Sequence, residues 1–136
     1  MTHKIGFIGY RNHAKKLLDI VDANKNFEVA KIFHPTKKID DVRFTNNLDD
    51  LYVCDGIIIA SPNSTHFEYI KKIIENSKCS IFCEKPPVTS LRELNSLKKL
   101  SNKKKQKIFF NFNARFKKFN TIFEKILSDP ALGNVI

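Results

Sequence analysis

Short apolar runs alternate with amphipathic stretches along nearly the whole of this 136-residue chain, and that alternation restricts the fold more than anything else in it. Lys4-Ile5-Gly6-Phe7-Ile8-Gly9 is an apolar run ending on glycine, a buried strand entering a turn. Ala14 to Ala23 sets Ala14, Leu17, Leu18 and Val21 at i, i+3, i+4 and i+7, the stripe of a helix. Glu28 to Phe33 is strand-like and stops at His34-Pro35, because proline cannot continue a ladder. Thr36 to Asp50 is polar and reads as loop, with Val42-Arg43-Phe44-Thr45 a candidate short strand. Asp55 to Ala60 is continuous and β-branched, as in a parallel strand covered on both faces.

The second half keeps the rhythm. A loop at Ser61-Pro62-Asn63-Ser64 leads into a helix over Thr65 to Asn76, with Phe67, Ile70, Ile73 and Ile74 inward. A strand over Cys79 to Cys83, a helix from about Ser90 to Ser101 and a strand over Lys107 to Phe112 follow. Thr89 or Ser90 with Glu93 makes an N-terminal cap. Phe116 to Ser128 presents Phe116, Phe119, Ile122, Phe123, Ile126 and Leu127 on one broad helical face. Strands and helices in this succession imply an α/β fold: a doubly wound, mainly parallel sheet of six strands with right-handed crossovers. The length predicts one domain over residues 1–136.

Composition narrows the class. The formal charge of +10 invites a nucleic-acid reading. The lysines are scattered, however, at Lys15-Lys16, Lys37-Lys38, Lys71-Lys72, Lys98-Lys99, Lys103-Lys104-Lys105 and Lys117-Lys118. That spread lacks the clustered basic face of a polyanion binder, so the expectation is no nucleic acid, with phosphorylated small ligands favoured. No apolar stretch approaches the roughly 20 residues of a membrane span. The start of the chain lacks a signal-peptide pattern, so the expectation is a cytoplasmic protein without a membrane partner. Cys54, Cys79 and Cys83 form neither a C-x-x-C pair nor a set with paired histidines, which argues against a metal site. Along a strand Cys79 and Cys83 would stand about 13 Å apart, beyond the roughly 7 Å that a disulfide tolerates. Buried, reduced thiols are expected.

Two motifs carry chemistry. In a dinucleotide fold a first glycine makes the strand-to-helix turn, a second admits the pyrophosphate, and a third lets helix pack on strand. With Gly9 as the first, Arg11 takes the second place and Ala14 the third. Arginine there either crowds the spot where phosphate oxygens meet helix amides, or swings outward and pairs with a phosphate. The acidic residue expected about 20 residues on falls on His34. Without that acid, and with Lys37 and Lys38 following, the site leans from NAD toward NADP. The second motif is Cys83-Glu84-Lys85-Pro86, at the carboxyl end of a strand, where open parallel sheets place their ligands.

The set resembles the glucose–fructose oxidoreductase / inositol dehydrogenase / MocA-like (Gfo/Idh/MocA) oxidoreductases. The likeness runs through Lys4 to Gly9, Ala60-Ser61-Pro62-Asn63-Ser64-Thr65-His66, Cys83-Glu84-Lys85-Pro86, Asn111-Phe112-Asn113-Ala114-Arg115-Phe116 and Asp129 to Ile136. It implies that Gly6, Phe7, Ile8, Gly9, Arg11 and Asn12 line the pyrophosphate turn and His34 the adenosine ribose pocket. It implies that Ser61, Pro62, Asn63 and His66 form the loop beside the cofactor, with Glu84 and Lys85 under the nicotinamide. Lys85 becomes the catalytic candidate, for proton handling or substrate orientation, and His66 alternatively caps or packs its helix. Arg115 receives no catalytic role. The resemblance further implies a second, substrate-binding domain, with Asp129 to Ile136 at the junction into it, and a sugar, polyol or nucleotide-sugar substrate. The expected function is thus the NAD(P)-binding domain of an oxidoreductase, inactive without that second domain. The competing expectation is a degenerate, non-catalytic module for interaction or regulation, favoured by Arg11 and His34, with homo-oligomerisation through the Phe-rich helix.

Overall fold

The computed structural model describes residues 2–112, together with Ile122 and Lys125. Its strands are β1 (His3–Ile8), β2 (Phe27–Phe33), β3 (Phe44–Thr45), β4 (Gly56–Ile59), β5 (Ser80–Glu84) and β6 (Ile108–Asn111). Its helices are α1 (Asn12–Asp22), α2 (His66–Asn76), α3 (Leu91–Lys98) and α4 (Asn102–Lys105), with 3₁₀ turns at Leu48–Leu51 and Asn63–Thr65. The six strands stand in the order β3-β2-β1-β4-β5-β6, and every adjacent pair is parallel. The chain leaves β1 toward β2 on one side and returns to β4 on the other. A crevice therefore opens at the carboxyl ends of β1 and β4, where connections diverge.

Strand alternation sorts the core into two layers. Phe7 packs on the α1 face with Leu18, Val29 and Ile32. Ile8, Ile57, Ile59, Ile81 and Cys83 turn to the opposite face, under Ile70, Ile73 and Ile74 of α2. Ile59, Ile70, Ile73 and Ile81 are fully buried, each contributing about 1.5–3 kcal/mol relative to exposure. Among the described residues, no helix covers the β5–β6 part of the α1 face. There Phe82 and Phe109 line an apolar groove of about 370 Å³, and Phe109 is 56% exposed.

The elements match the sequence reading in kind and shift at their ends. α1 starts at Asn12, before the apolar stripe begins at Ala14, because its first turn is polar and solvent-facing. The helix expected over Ser90 to Ser101 is two pieces: Leu100 N–H donates to Leu97 O (3.2 Å), and Ser101 is extended before α4. Of the two cap candidates Ser90 is the N-cap, its Oγ accepting from Glu93 N–H (3.3 Å), while Thr89 N–H donates to Glu93 Oε2 (2.7 Å). Only Phe44–Thr45 of the candidate edge strand pairs with β2. The helix expected over Phe116 to Ser128 lies, apart from Ile122 and Lys125, outside the described residues, as do Arg115 and Asp129 to Ile136. No described helix is long and apolar enough to cross a membrane.

Candidate functional site

Gly9 makes the turn from β1 to α1 with φ +104°, in the region that favours glycine. A Cβ at Gly9 would lie 2.7 Å from Ala60 O and 3.0 Å from Ser61 N, so the turn rests backbone-on-backbone against the loop after β4. Gly9 N–H donates to Phe33 O (3.1 Å) and Ala60 N–H to Ile8 O (2.9 Å), pinning the turn to both neighbouring strands. Arg11 is the N-cap of α1; it is extended and makes no side-chain cap hydrogen bond. The first amides of α1, which have no partner within the helix, and its positive dipole end therefore sit at the crevice without a capping side chain.

The facing wall is built from two loops. After β4, Ser61 Oγ and Thr65 Oγ1 share a hydrogen bond (2.8 Å) and Thr65 Oγ1 donates to Pro62 O (2.7 Å). After β5 comes the turn Lys85-Pro86, joined by a cis peptide bond. His66 lies buried between the loops, Nδ1 2.8 Å from Pro86 O and Nε2 2.8 Å from Ser61 O. Both atoms it faces are acceptors, so only a ring carrying both N–H groups donates to both. His66 holds the two loops together from behind.

Glu84 ends β5 at 8% exposure. Its Oε1 accepts from Asn111 Nδ2 (2.6 Å) and pairs with His13 Nε2 (2.8 Å). Burial works to raise the Glu84 carboxyl, but the Asn111 amide, the His13 imidazole and the Lys85 backbone N–H outweigh it and hold the group below its ordinary value. Arg11, Ser61, Pro62, Asn63, Glu84 and Lys85 surround one crevice of about 470 Å³, joined by Ala60 and His13. Sequence reasoning missed His13 and Asn111. The signal for His13 was its place on the first turn after the glycine; for Asn111 it was a strand end and its place in the family-like segment Asn111 to Phe116.

A cationic patch lies beyond the Gly9 turn. His34 follows β2, its Nδ1 accepting from Lys37 N–H (3.0 Å) and Thr36 N–H (3.3 Å). Burial, then the charges of Lys37 and Arg11, hold its imidazole below the ordinary value, so both cations stand close to it. Lys15 and Lys37 place their ammonium groups 4.8 and 5.9 Å from the centre of the Tyr10 ring.

The remaining sequence candidates are structural in placement. Phe7 and Ile8 are core side chains, Gly6 faces Leu51 and Cys54 in the sheet interior, and none of the three lines the crevice. Asn12 is exposed on the first turn of α1. Cys54, Cys79 and Cys83 are buried free thiols. Burial, then Cys79, pushes Cys54 up to about 11; burial, then Glu84, pushes Cys83 up to about 12. Among the described residues no group of His, Cys, Asp or Glu is arranged to hold a metal ion. A larger groove, about 520 Å³ between α2 and α3, is lined by exposed residues such as Glu68, Lys71, Arg92 and Ser96. Size does not choose the site here; the convergence of a glycine turn, an open helix end and a buried carboxylate does.

Residues 3–112 match the family described as "Oxidoreductase family, NAD-binding Rossmann fold" (Gfo/Idh/MocA). The chain belongs to the Gfo/Idh/MocA family. Its glucose-6-phosphate 3-dehydrogenase relative from Bacillus subtilis (strain 168) is 26% identical over 141 residues, covering 98% of this chain and 40% of that protein. The inositol 2-dehydrogenase of Rhizobium meliloti (strain 1021) is 27% identical over 145 residues, covering 99% and 43%. Among solved structures, scyllo-inositol dehydrogenase from Lactobacillus casei, with bound NAD(H) and scyllo-inositol, superposes with TM-score 0.74 at 17% identity, covering 98% and 43%. That likeness shows the fold, a Rossmann-like α/β sheet. The matched residues correspond to the Rossmann fold that describes this family, and the chain spans about two fifths of the length of these curated relatives.

Proposed function

We propose that this chain binds a nicotinamide dinucleotide across the carboxyl ends of β1, β4 and β5, with NADP preferred. In this reading the whole protein moves hydride between that cofactor and a hydroxyl of a sugar, polyol or nucleotide sugar. The observation that carries the reading is a single crevice at the switch point, lined by Arg11 and His13, which follow the Gly9 turn, on one side and by Glu84-Lys85 on the other. Gly9 admits close backbone approach, and the uncapped end of α1 suits a pyrophosphate. Arg11, Lys37 and His34 would surround the adenosine ribose, where cations favour an added 2′-phosphate. The relatives' names point to sugar and polyol substrates.

When bound, the dinucleotide supplies the hydride acceptor. This chain's residues do the rest: Ser61, Pro62 and Asn63 border the ring site, and His66 keeps their loop at its spacing from Lys85. Oxidation of an alcohol also requires that its hydroxyl proton be accepted. Lys85, exposed at the crevice, would orient the substrate oxygen and take part in moving that proton. Residues 1–136 would form the dinucleotide-binding domain, inactive without a C-terminal domain that selects the substrate, in a cytoplasmic protein.

The test is a titration of this chain with NADP and NAD, read by the rise in melting temperature with ligand concentration. The expected result is saturable stabilisation, larger with NADP, with Arg11→Ala and Lys37→Ala weakening NADP more than NAD. No shift with either dinucleotide at millimolar concentration, in a folded chain, overturns the reading. That outcome would favour the second one, a non-catalytic Rossmann module, for which Arg11 at the place of the second glycine is the specific observation.

A further inference from the structure

We propose that His13 makes this crevice prefer the oxidised dinucleotide when its imidazole is neutral and lose that preference when the imidazole is charged. The inference rests on the dinucleotide reading above and concerns a contact that joins two walls of the crevice. His13 is on the first turn of α1 and Glu84 ends β5, yet His13 Nε2 and Glu84 Oε1 are 2.8 Å apart. Asn111 Nδ2, from β6, donates to the same oxygen at 2.6 Å, so the carboxylate is held from two sides.

The chemistry follows from which of these groups can change charge. A neutral imidazole protonated at Nε2 donates to Glu84 as an imidazolium does, so the geometry survives loss of the second proton while the charge of the pair changes by one. Glu84 stays ionised, because the donors around it outweigh its burial. With His13 neutral, the pair presents a net negative charge to the crevice. With His13 protonated, the pair is neutral. The oxidised nicotinamide ring carries a positive charge and the reduced ring none, so only the oxidised form gains from the uncovered carboxylate.

The other groups around the pair do not imitate this response. Among the other residues that line the crevice, the charged side chains are Arg11, the N-cap of α1, and Lys85, after β5; neither is a histidine. The loop after β4 brings Ser61, Pro62 and Asn63, and β6 brings Asn111, none of them charged. His34 does titrate in that range, but it lies at the ribose end, which the oxidised and reduced dinucleotides share. Its effect cancels in the ratio of their dissociation constants. His13 side-chain exposure of 56% leaves the imidazole free to exchange its proton with solvent, while Glu84 at 10% keeps the charge shielded from water.

The experiment measures dissociation constants of NADP+ and NADPH for this chain at about pH 5.5 and about pH 8.5, on either side of imidazole titration. The preference for the oxidised form is expected to rise about three- to tenfold with pH, as one unit charge acting across a half-exposed crevice implies. His13→Gln keeps a donor for Glu84 but cannot titrate, so its ratio should be flat. Glu84→Gln removes the negative charge itself, so its ratio at about pH 8.5 should fall to the low-pH value of the parent chain. Binding with a pH-independent ratio in the parent chain, a pH-dependent ratio that persists in His13→Gln, or an unchanged ratio at about pH 8.5 in Glu84→Gln overturns this inference and leaves the dinucleotide reading standing. Absence of binding by either form overturns both.

Discussion

Gly9→Ala is the substitution whose cost the structure specifies most fully. The added methyl would sit 2.7 Å from Ala60 O, 2.9 Å from Ala60 C and 3.0 Å from Ser61 N, and all three atoms are backbone. Backbone held by strand hydrogen bonds cannot swing aside as a flexible side chain can. The residue would also have to keep φ near +104°, or rebuild the turn. Strain of that kind costs about 1–3 kcal/mol, and overpacking against fixed atoms about 1–3 kcal/mol more. The predicted loss is about 3 kcal/mol, a fall in melting temperature of about 10 °C for a domain of this size. Urea unfolding should show it as a lower midpoint with an unchanged slope. Gly6→Ala is the internal control: its Cβ would meet Leu51 Cγ at 3.0 Å and Cys54 Sγ at 3.3 Å, side-chain atoms that can shift. It should cost about 1–2 kcal/mol. Gly56→Ala, with Ile5 Cδ1 at 3.3 Å and Ser80 O at 3.7 Å, should cost less still. A Gly9→Ala loss under about 1 kcal/mol, or a larger loss for Gly6→Ala, would refute the reasoning.

Three further outcomes are expected. His66→Ala leaves Ser61 O and Pro86 O without their donor and opens a cavity, so urea unfolding should report a loss of about 2–4 kcal/mol; a loss within the noise of surface substitutions would contradict the bridging role. The folded Glu84 carboxyl titrates below its unfolded value, so its stabilisation is present above about pH 4.3 and is lost as pH falls through the folded value. Glu84→Gln should therefore flatten the acid limb of the stability–pH curve, and an unaltered limb would show that the carboxylate is not held by its donors. Thiol titration at about pH 8 should find Cys54, Cys79 and Cys83 unreactive in the folded chain and reactive in urea, since all are buried and two are pushed well above the ordinary range; labelling of the native chain would contradict their placement.

Particular residues show why some features could be read early and others could not. Gly56-Ile57-Ile58-Ile59 announced a doubly covered strand because a run apolar on both faces suits little else, and β4 stands between β1 and β5. Ser90 with Glu93 announced a cap through spacing within one turn, and the bond is present. Asn12 and His13 gave no such sign, because the first turn of α1 faces solvent and carries no apolar stripe. His66 looked like a crevice residue from its place in the loop motif. Its burial arises from Pro86, 20 residues further along the chain, coming to lie against it.

Local periodicity, glycine placement and strand-end position were enough to establish the parallel sheet and to bring Gly9 and Glu84-Lys85 to the same end of it. Those properties are set within a few residues of each position, so the order of amino acids carries them directly. The contacts that shape the crevice are of another kind. His13 with Glu84 spans 71 residues and Asn111 with Glu84 spans 27. They exist because the sheet order puts α1, β5 and β6 around a single opening. Pairings across such separations are settled by topology and packing, and they become visible in the folded chain.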